Sequence, residues 1–141
     1  MKKILSLVLV LCTLLFLVGC SVVTHASKTA LKGISSAAKI EIYSIVLEEP
    51  LVVTDAEAIA NICDNLLSLQ LATKIRLSGV HSKPSWVLHS FTMYDAEGNK
   101  THKIDIRSDG QCICNYKSYY IHSGAIDTDY LLQLSAQSPN E

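Results

Sequence analysis

The N-terminus places the strongest constraint on how this 141-residue chain can fold, because residues 4–19 form an apolar run without a charge. Lys2 and Lys3 precede the run, and small residues end it. This pattern is typical of a secretory signal peptide, which is removed and takes no part in the mature fold. A transmembrane anchor is the alternative, but a spanning helix needs about 20 apolar residues, and this run has 16.

The run ends in the sequence LVGC at positions 17–20, which resembles the lipobox of bacterial lipoproteins. The resemblance implies that residues 1–19 are cleaved off, that the Cys20 thiol carries diacylglycerol, and that its freed amine is open to N-acylation. Stable anchoring takes two acyl chains or more, so a diacylglyceryl cysteine is sufficient. The alternative is an ordinary signal peptide in which Cys20 has no role.

A lipid on Cys20 implies attachment to the cell membrane on its extracytoplasmic face. In a Gram-positive cell this is the outer surface. Ser21 follows the cysteine, and it is not the aspartate associated with retention at the inner membrane of Gram-negative cells. An outer-membrane location is therefore also compatible with the sequence.

The rest of the chain is predicted to form one small domain. Loss of Lys2 and Lys3 lowers the basic residues from 12 to 10, against 13 acidic ones, so we expect no nucleic-acid partner. Residues 20–36 are interpreted as the lipidated cysteine and a flexible tether, with an average reach of about 20–24 Å. Residues 37–136 then form a single domain, and residues 137–141 form a tail.

Two segments early in this domain carry periodic patterns. Residues 38–46 alternate, with Ile40, Ile42 and Ser44 on one side, which predicts a strand with one polar face. The sequence from Thr54 to Glu57 matches a capping box. Apolar residues follow it at helical spacing, so we expect a helix over about 55–70.

Residues 86–122 alternate in short segments separated by turn residues, which predicts an antiparallel meander. In the expected register Phe91 and Ile104 meet on a dry face, and Tyr94 and Thr101 meet on a wet one. The predicted fold is α+β, with an antiparallel sheet of four or five strands and the 55–70 helix across one face. Residues 73–85 are interpreted as loop, a second turn is expected near 116–117, and Asp127 is predicted to cap a short final helix.

The turn at residues 108–110 decides where two cysteines lie. A two-residue turn would place Cys112 and Cys114 on the wet face, whereas a three-residue loop with Gly110 left-handed sets them against Ile106 and Ile104 in the core. We expect the three-residue loop, because thiols are usually buried.

Three hypotheses describe Cys63, Cys112 and Cys114, which share one core in this register. The favoured one treats them as small buried hydrophobic residues and assigns no cofactor or metal. The second joins Cys63 to Cys112 or Cys114 in a disulfide, since exported proteins can oxidise. The third is a soft-metal site that also uses His89 or Met93, because thiolates and thioethers bind copper(I) or zinc.

No pattern indicates catalysis. The sequence has neither the G-x-S-x-G of a serine hydrolase nor the H-E-x-x-H of a zinc protease, so we expect no enzyme. Four aromatic residues, Tyr43, Trp86, Tyr94 and Tyr120, fall on the predicted wet face and are candidates for binding a partner. The alternative is that Trp86 lies beneath the 73–85 loop.

The domain also resembles small lipoproteins of Gram-positive Firmicutes over about residues 38–135. The shared features are the capped helix after 54–55, D-x-x-G-N at 95–99, I-x-I-x-S-D-G at 104–110 and tyrosines at 119–120. In such proteins aliphatic residues often occupy the positions of the two cysteines after Gly110, which favours the core hypothesis. The resemblance supplies no activity. We therefore expect a membrane-anchored, non-enzymatic module that binds a protein or an envelope polymer, with a metal or redox protein using the cysteines as the alternative.

Overall fold

The computed structural model describes residues 26–73 and 84–138. The predicted signal peptide, Cys20 and most of the predicted 73–85 loop lie outside these residues. The elements follow in the order α1 (26–30), a 3₁₀ turn (Ile34–Ser36), β1 (Lys39–Ser44), β2 (Leu51–Val53), α2 (Ala56–Ser68), β3 (Gln70–Thr73), β4 (Val87–Tyr94), β5 (Lys100–Arg107), β6 (Gln111–Cys114), β7 (Lys117–Ser123) and α3 (Thr128–Gln137). Within the described ranges no helix is long and apolar enough to cross a membrane.

The seven strands of the described residues form one antiparallel sheet in the order β2-β1-β4-β5-β6-β7-β3. The predicted α+β class is confirmed, but four or five strands were too few. The additional strands are β2 and β3, which have three and four residues and form the two edges of the sheet. Strands this short offer too few alternating positions for a period of two to be recognised.

One face of the sheet is buried beneath the helices, and it is the face that the alternation predicted. Ile40, Ile42 and Phe91 join the buried side chains of α1, α2 and α3 in a single core. The opposite face carries the intervening positions, such as Glu41 and Ser90, which are half-buried or exposed. We call this second surface the open face.

The start of α2 differs from the predicted capping box. The side chain of Asp55, rather than that of Thr54, accepts a hydrogen bond from the Ala58 N–H at 2.9 Å. Asp55 is therefore the N-cap, and its carboxylate also interacts favourably with the positive end of the helix dipole.

The pairing of β4 with β5 follows the predicted register from His89 to Met93 and departs from it at both ends. Phe91 pairs with Ile104 as expected. Tyr94 pairs with Lys100 rather than with Thr101, because an irregularity after Met93 inserts one extra residue in β5.

The turn from β5 to β6 is the predicted three-residue loop. Gly110 has a φ of 77°, in the left-handed region. Cys112 accordingly pairs with Ile106, and Cys114 pairs with Ile104. Both cysteines therefore lie on the core face, which confirms the expected register.

The C-terminal part of the domain also follows the prediction closely. The β6–β7 turn comprises Asn115 and Tyr116, one residue earlier than expected. The Asp127 side chain caps α3 by accepting a hydrogen bond from the Tyr130 N–H at 3.0 Å, as predicted. Leu131 of this helix is buried in the core.

The predicted tether is too long, because residues 26–36 belong to the domain. Ala26, Ala30, Leu31 and Ile34 are all buried in the core, so the domain includes residue 26 and does not start at 37. These four apolar residues are spaced so that they lie along one side of the chain as it turns helically. The small and polar residues between them obscured this pattern in the sequence.

Gly110 and Gly124 provide a matched test of this backbone. Both have positive φ, but a Cβ at Gly110 meets nothing within 4 Å, whereas one at Gly124 would lie 3.2 Å from Leu69 and Ser68. Gly110→Ala should lower the free energy of unfolding by about 1 kcal/mol through left-handed strain alone. Gly124→Ala should cost more, because it adds steric contact to the same strain. Urea denaturation measures both values, and equal losses would contradict the packing around Gly124.

Candidate functional site

Three exposed apolar side chains lie together on the open face, at its β1–β2 edge. Tyr43, Ile45 and Val52 are 54%, 56% and 55% exposed. Val52 pairs with Glu41, which makes it a diagonal neighbour of Tyr43 within reach of an aromatic ring. Ile45 lies one residue past the end of β1, and its N–H bond to the Leu88 carbonyl continues the pairing of β1 with β4, which places its side chain on the same face as Tyr43. We call Tyr43, Ile45 and Val52 the edge patch.

The edge patch has no role in the core. Leu51 and Val53 are buried on either side of Val52, so β2 is held to the sheet without the Val52 side chain. The Ile45 N–H donates to the Leu88 carbonyl at 2.9 Å, and this bond holds the end of β1 while the Ile45 side chain remains exposed. Adjacent apolar side chains that the fold leaves in solvent are typical of a contact surface.

A charged cluster adjoins the patch on the same face. The Glu41 carboxylate accepts hydrogen bonds from Lys39 Nζ at 2.8 Å and from Tyr94 Oη at 2.8 Å. Lys39 Nζ also lies 4.1 Å from the centre of the Tyr94 ring, a cation–π distance. The hydrogen bonds from Lys39 and then Tyr94 lower the pKa of Glu41. Tyr94, a predicted binding residue, is therefore already engaged within the sheet.

The four predicted aromatic residues do not form one surface. Tyr43 lies on β1 and Tyr120 on β7, four strand positions apart, which corresponds to about 19 Å. Only Tyr43 belongs to the edge patch. Ile45 was available from the same alternation that placed Tyr43, but Val52 lies in a strand that the sequence did not predict.

Trp86 lies just before β4, and alternation alone does not fix its face. The Ser108 N–H donates to the Trp86 carbonyl at 3.0 Å, and an irregularity between Val87 and His89 interrupts the alternation of β4. The face assigned to Trp86 therefore does not follow from that of Tyr94. Trp86 is 62% exposed. Residues 74–83, most of the loop expected over it in the alternative hypothesis, lie outside the described residues.

The Cys112 and Cys114 thiols contact each other inside the core. Their Sγ atoms are 3.5 Å apart, and 0% and 3% of these residues are exposed. The hydrogen bond with Cys114, together with burial, raises the pKa of Cys112. The same hydrogen bond lowers the pKa of Cys114, so it is burial that keeps both thiols out of reach of dissolved reagents.

Cys63 takes a separate partner. Its thiol donates to the Ile34 carbonyl at 3.3 Å, and burial raises its pKa to about 11. All three cysteines are free, so the alternative hypothesis of a disulfide from Cys63 to Cys112 or Cys114 is not met in this structure. Among the described residues no group of three or more His, Cys, Asp or Glu side chains is arranged to hold a metal ion.

Ser44 and His89 form a buried polar pair at one end of the core face. The Ser44 hydroxyl and His89 Nδ1 are 2.8 Å apart, and the two residues are 2% and 7% exposed. The Val46 N–H donates to the same hydroxyl oxygen at 3.3 Å, which leaves the hydroxyl hydrogen for Nδ1. Such a pair resembles part of a hydrolase site, but its serine is out of reach of a substrate.

Compared with known proteins, the chain matches no family model, no curated protein and no solved structure. The candidate site therefore stands on the geometry of its own residues. Of the groups described above, the edge patch is accessible, whereas the Ser44–His89 pair and the three cysteines are enclosed in the core.

Burial of the three thiols predicts how they react. In mature protein carrying Cys20→Ser, we expect Cys63, Cys112 and Cys114 to react with an aromatic disulfide reagent far more slowly in native buffer than in denaturant. A Val52→Cys variant supplies the control, since its added thiol should react at once. Rapid native labelling of any of the three would contradict their placement.

His89 should make stability depend on pH. Burial lowers its pKa below the ordinary 6.5, so the unfolded chain binds a proton more readily than the folded one. The neutral form therefore contributes stability at neutral pH, and this contribution is lost as pH falls below about 6.5. His89→Gln should reduce the decline in unfolding free energy between about pH 7 and about pH 5.

The control for that experiment is His122→Gln, at an exposed position of β7. Urea denaturation at each pH gives the three profiles. Identical slopes in wild type and His89→Gln would show that this histidine does not contribute to acid destabilisation.

Proposed function

We propose that this chain is a lipid-anchored extracytoplasmic protein whose domain is a non-enzymatic binding module. Residues 1–19 serve as its signal peptide, and Cys20 carries diacylglycerol. The support for this part is the charge-free run behind two lysines, ending in LVGC. The two acyl chains of diacylglycerol give stable membrane attachment without a spanning helix.

The edge patch carries the proposal that the domain binds a partner. Tyr43, Ile45 and Val52 expose adjacent apolar surface on a sheet face that the described helices leave uncovered. Beside it, Lys39 and Glu41 form an ion pair at 2.8 Å. An apolar centre with a charged rim is the usual composition of a protein-binding surface, although an envelope polymer could contact the same residues.

The potential nucleophiles described above are buried where a substrate cannot reach them, and this supports binding over catalysis. Ser44, the hydroxyl paired with His89, and the adjacent thiols of Cys112 and Cys114 are all enclosed in the core. A nucleophile must reach its substrate, so these groups are assigned to packing and hydrogen bonding. The same enclosure argues against a metal or redox role for the three cysteines.

The anchor is tested by mass spectrometry of the protein purified from its native cells. We expect a mature N-terminus at Cys20 that bears the mass of the acyl chains. Cys20→Ser should release the protein from the membrane fraction. An unmodified N-terminus, or one at another residue, would overturn this part of the proposal.

Binding is tested by photo-cross-linking in native cells with a reactive residue at position 45. A discrete cross-linked species is expected, and Tyr43→Ser with Val52→Ser should weaken its formation roughly tenfold. Leu132→Ser is the matched control, because Leu132 is exposed on α3, away from the open face. No specific species, or equal loss in the control, would count against the edge patch.

A further inference from the structure

The first described residues of the chain lie at one edge of the sheet. Ala26 is buried in the core. The next residue, Ser27, accepts a hydrogen bond at its Oγ from the Leu71 N–H at 2.7 Å. Leu71 belongs to β3, an edge strand. These contacts hold residues 26 and 27 beside β3.

The proposed anchor lies close to this point along the chain. Six peptide steps separate Cys20 from Ala26, and a fully extended chain covers about 20 Å in that number. The sheet is wider than this, because six strand spacings from β3 to β2 amount to about 29 Å. The domain therefore cannot be oriented with its β2 edge against the membrane while Cys20 remains in the lipid.

Charge distinguishes the two edges further. On α1, Lys28 is exposed, and residues 26–30 contain no acidic residue. The turn between β1 and β2 instead carries the exposed Glu48 and Glu49. Anionic lipid headgroups attract basic side chains that lie near the membrane surface and repel acidic ones.

We infer that the α1–β3 edge docks on the anionic headgroup layer that holds the anchor, and that the domain stands upright with its β1–β2 edge outward. This inference rests on the proposed lipidation of Cys20. It places the edge patch on the side away from the lipid. The partner of the patch is then a molecule that approaches from outside the membrane rather than a lipid of that membrane.

Site-specific quenching on vesicles tests this orientation. The full lipidated protein is bound to phosphatidylcholine–phosphatidylglycerol vesicles that contain a headgroup-nitroxide lipid. A fluorophore is attached to one introduced thiol at a time, in Thr29→Cys on α1, Thr92→Cys on the open face or Glu49→Cys in the β1–β2 turn. The native thiols at 63, 112 and 114 are buried, so labelling is selective.

Quenching should be several-fold stronger at position 29 than at positions 49 and 92. Strongest quenching at position 92 would show that the open face lies on the membrane, and equal quenching at 29 and 49 would show that no edge is preferred. Either result overturns the inference. Insertion of about 16 glycine and serine residues after Ser21 is the control, and it should reduce the difference because the longer linker releases the domain.

Co-sedimentation of the unlabelled protein separates this inference from the proposed function. Wild type should sediment with the vesicles, and Cys20→Ser should not. If wild type fails to sediment, the anchor fails and the orientation fails with it. If it sediments but the quenching pattern is wrong, the anchor stands and the docking edge alone is rejected.

Discussion

The left-handed conformation of Gly110 determines the register on which the sheet depends. Side chains alternate along a strand, so a shift of one residue would move Cys112 and Cys114 out of the core and bring Ile113 into it. The three-residue turn prevents this shift, and it aligns the thiols with the isoleucines of β5. The same alignment fixes β7 through its pairing with β6, and β7 in turn holds β3. The side chains that β6, β7 and β3 contribute to the core are therefore aligned by this one turn.

Much of the fold was predictable because strong local patterns agree with the tertiary structure. The 55–70 helix, the strands of the meander and the Asp127 cap each combine a period with a start or stop signal. The β2 and β3 strands were missed because each is too short to show a period. The core role of Ala26, Leu31 and Ile34 was missed for a different reason. Their burial depends on contacts with elements far along the chain, and small polar neighbours dilute the apolar character of the segment.

The candidate site was less predictable than the fold. Tyr43 follows directly from the alternation of β1, but Val52 joins the edge patch only through the pairing of β2 with β1. For Trp86 the alternation itself was misleading. A single irregularity in β4 interrupts the alternation from which its face had been predicted. The sequence gives no sign of a partner for Tyr94, whereas in the structure its hydroxyl donates a hydrogen bond to Glu41. The alternation of a single strand predicts which face each side chain occupies and whether it is exposed. The partners of that side chain can be identified only when the neighbouring strands are known.

The brevity of the outer strands matters for a protein concentrated on a membrane, as proposed here. Confinement to two dimensions makes neighbouring copies collide often, and an unpaired strand edge is a template for joining sheets into polymers. β2 offers only three residues at its free edge and follows directly after Pro50. β3 has four residues, and the Leu71 N–H among them is already bonded to Ser27. Such edges present few backbone groups to a neighbour, so many copies can crowd one surface and remain separate molecules.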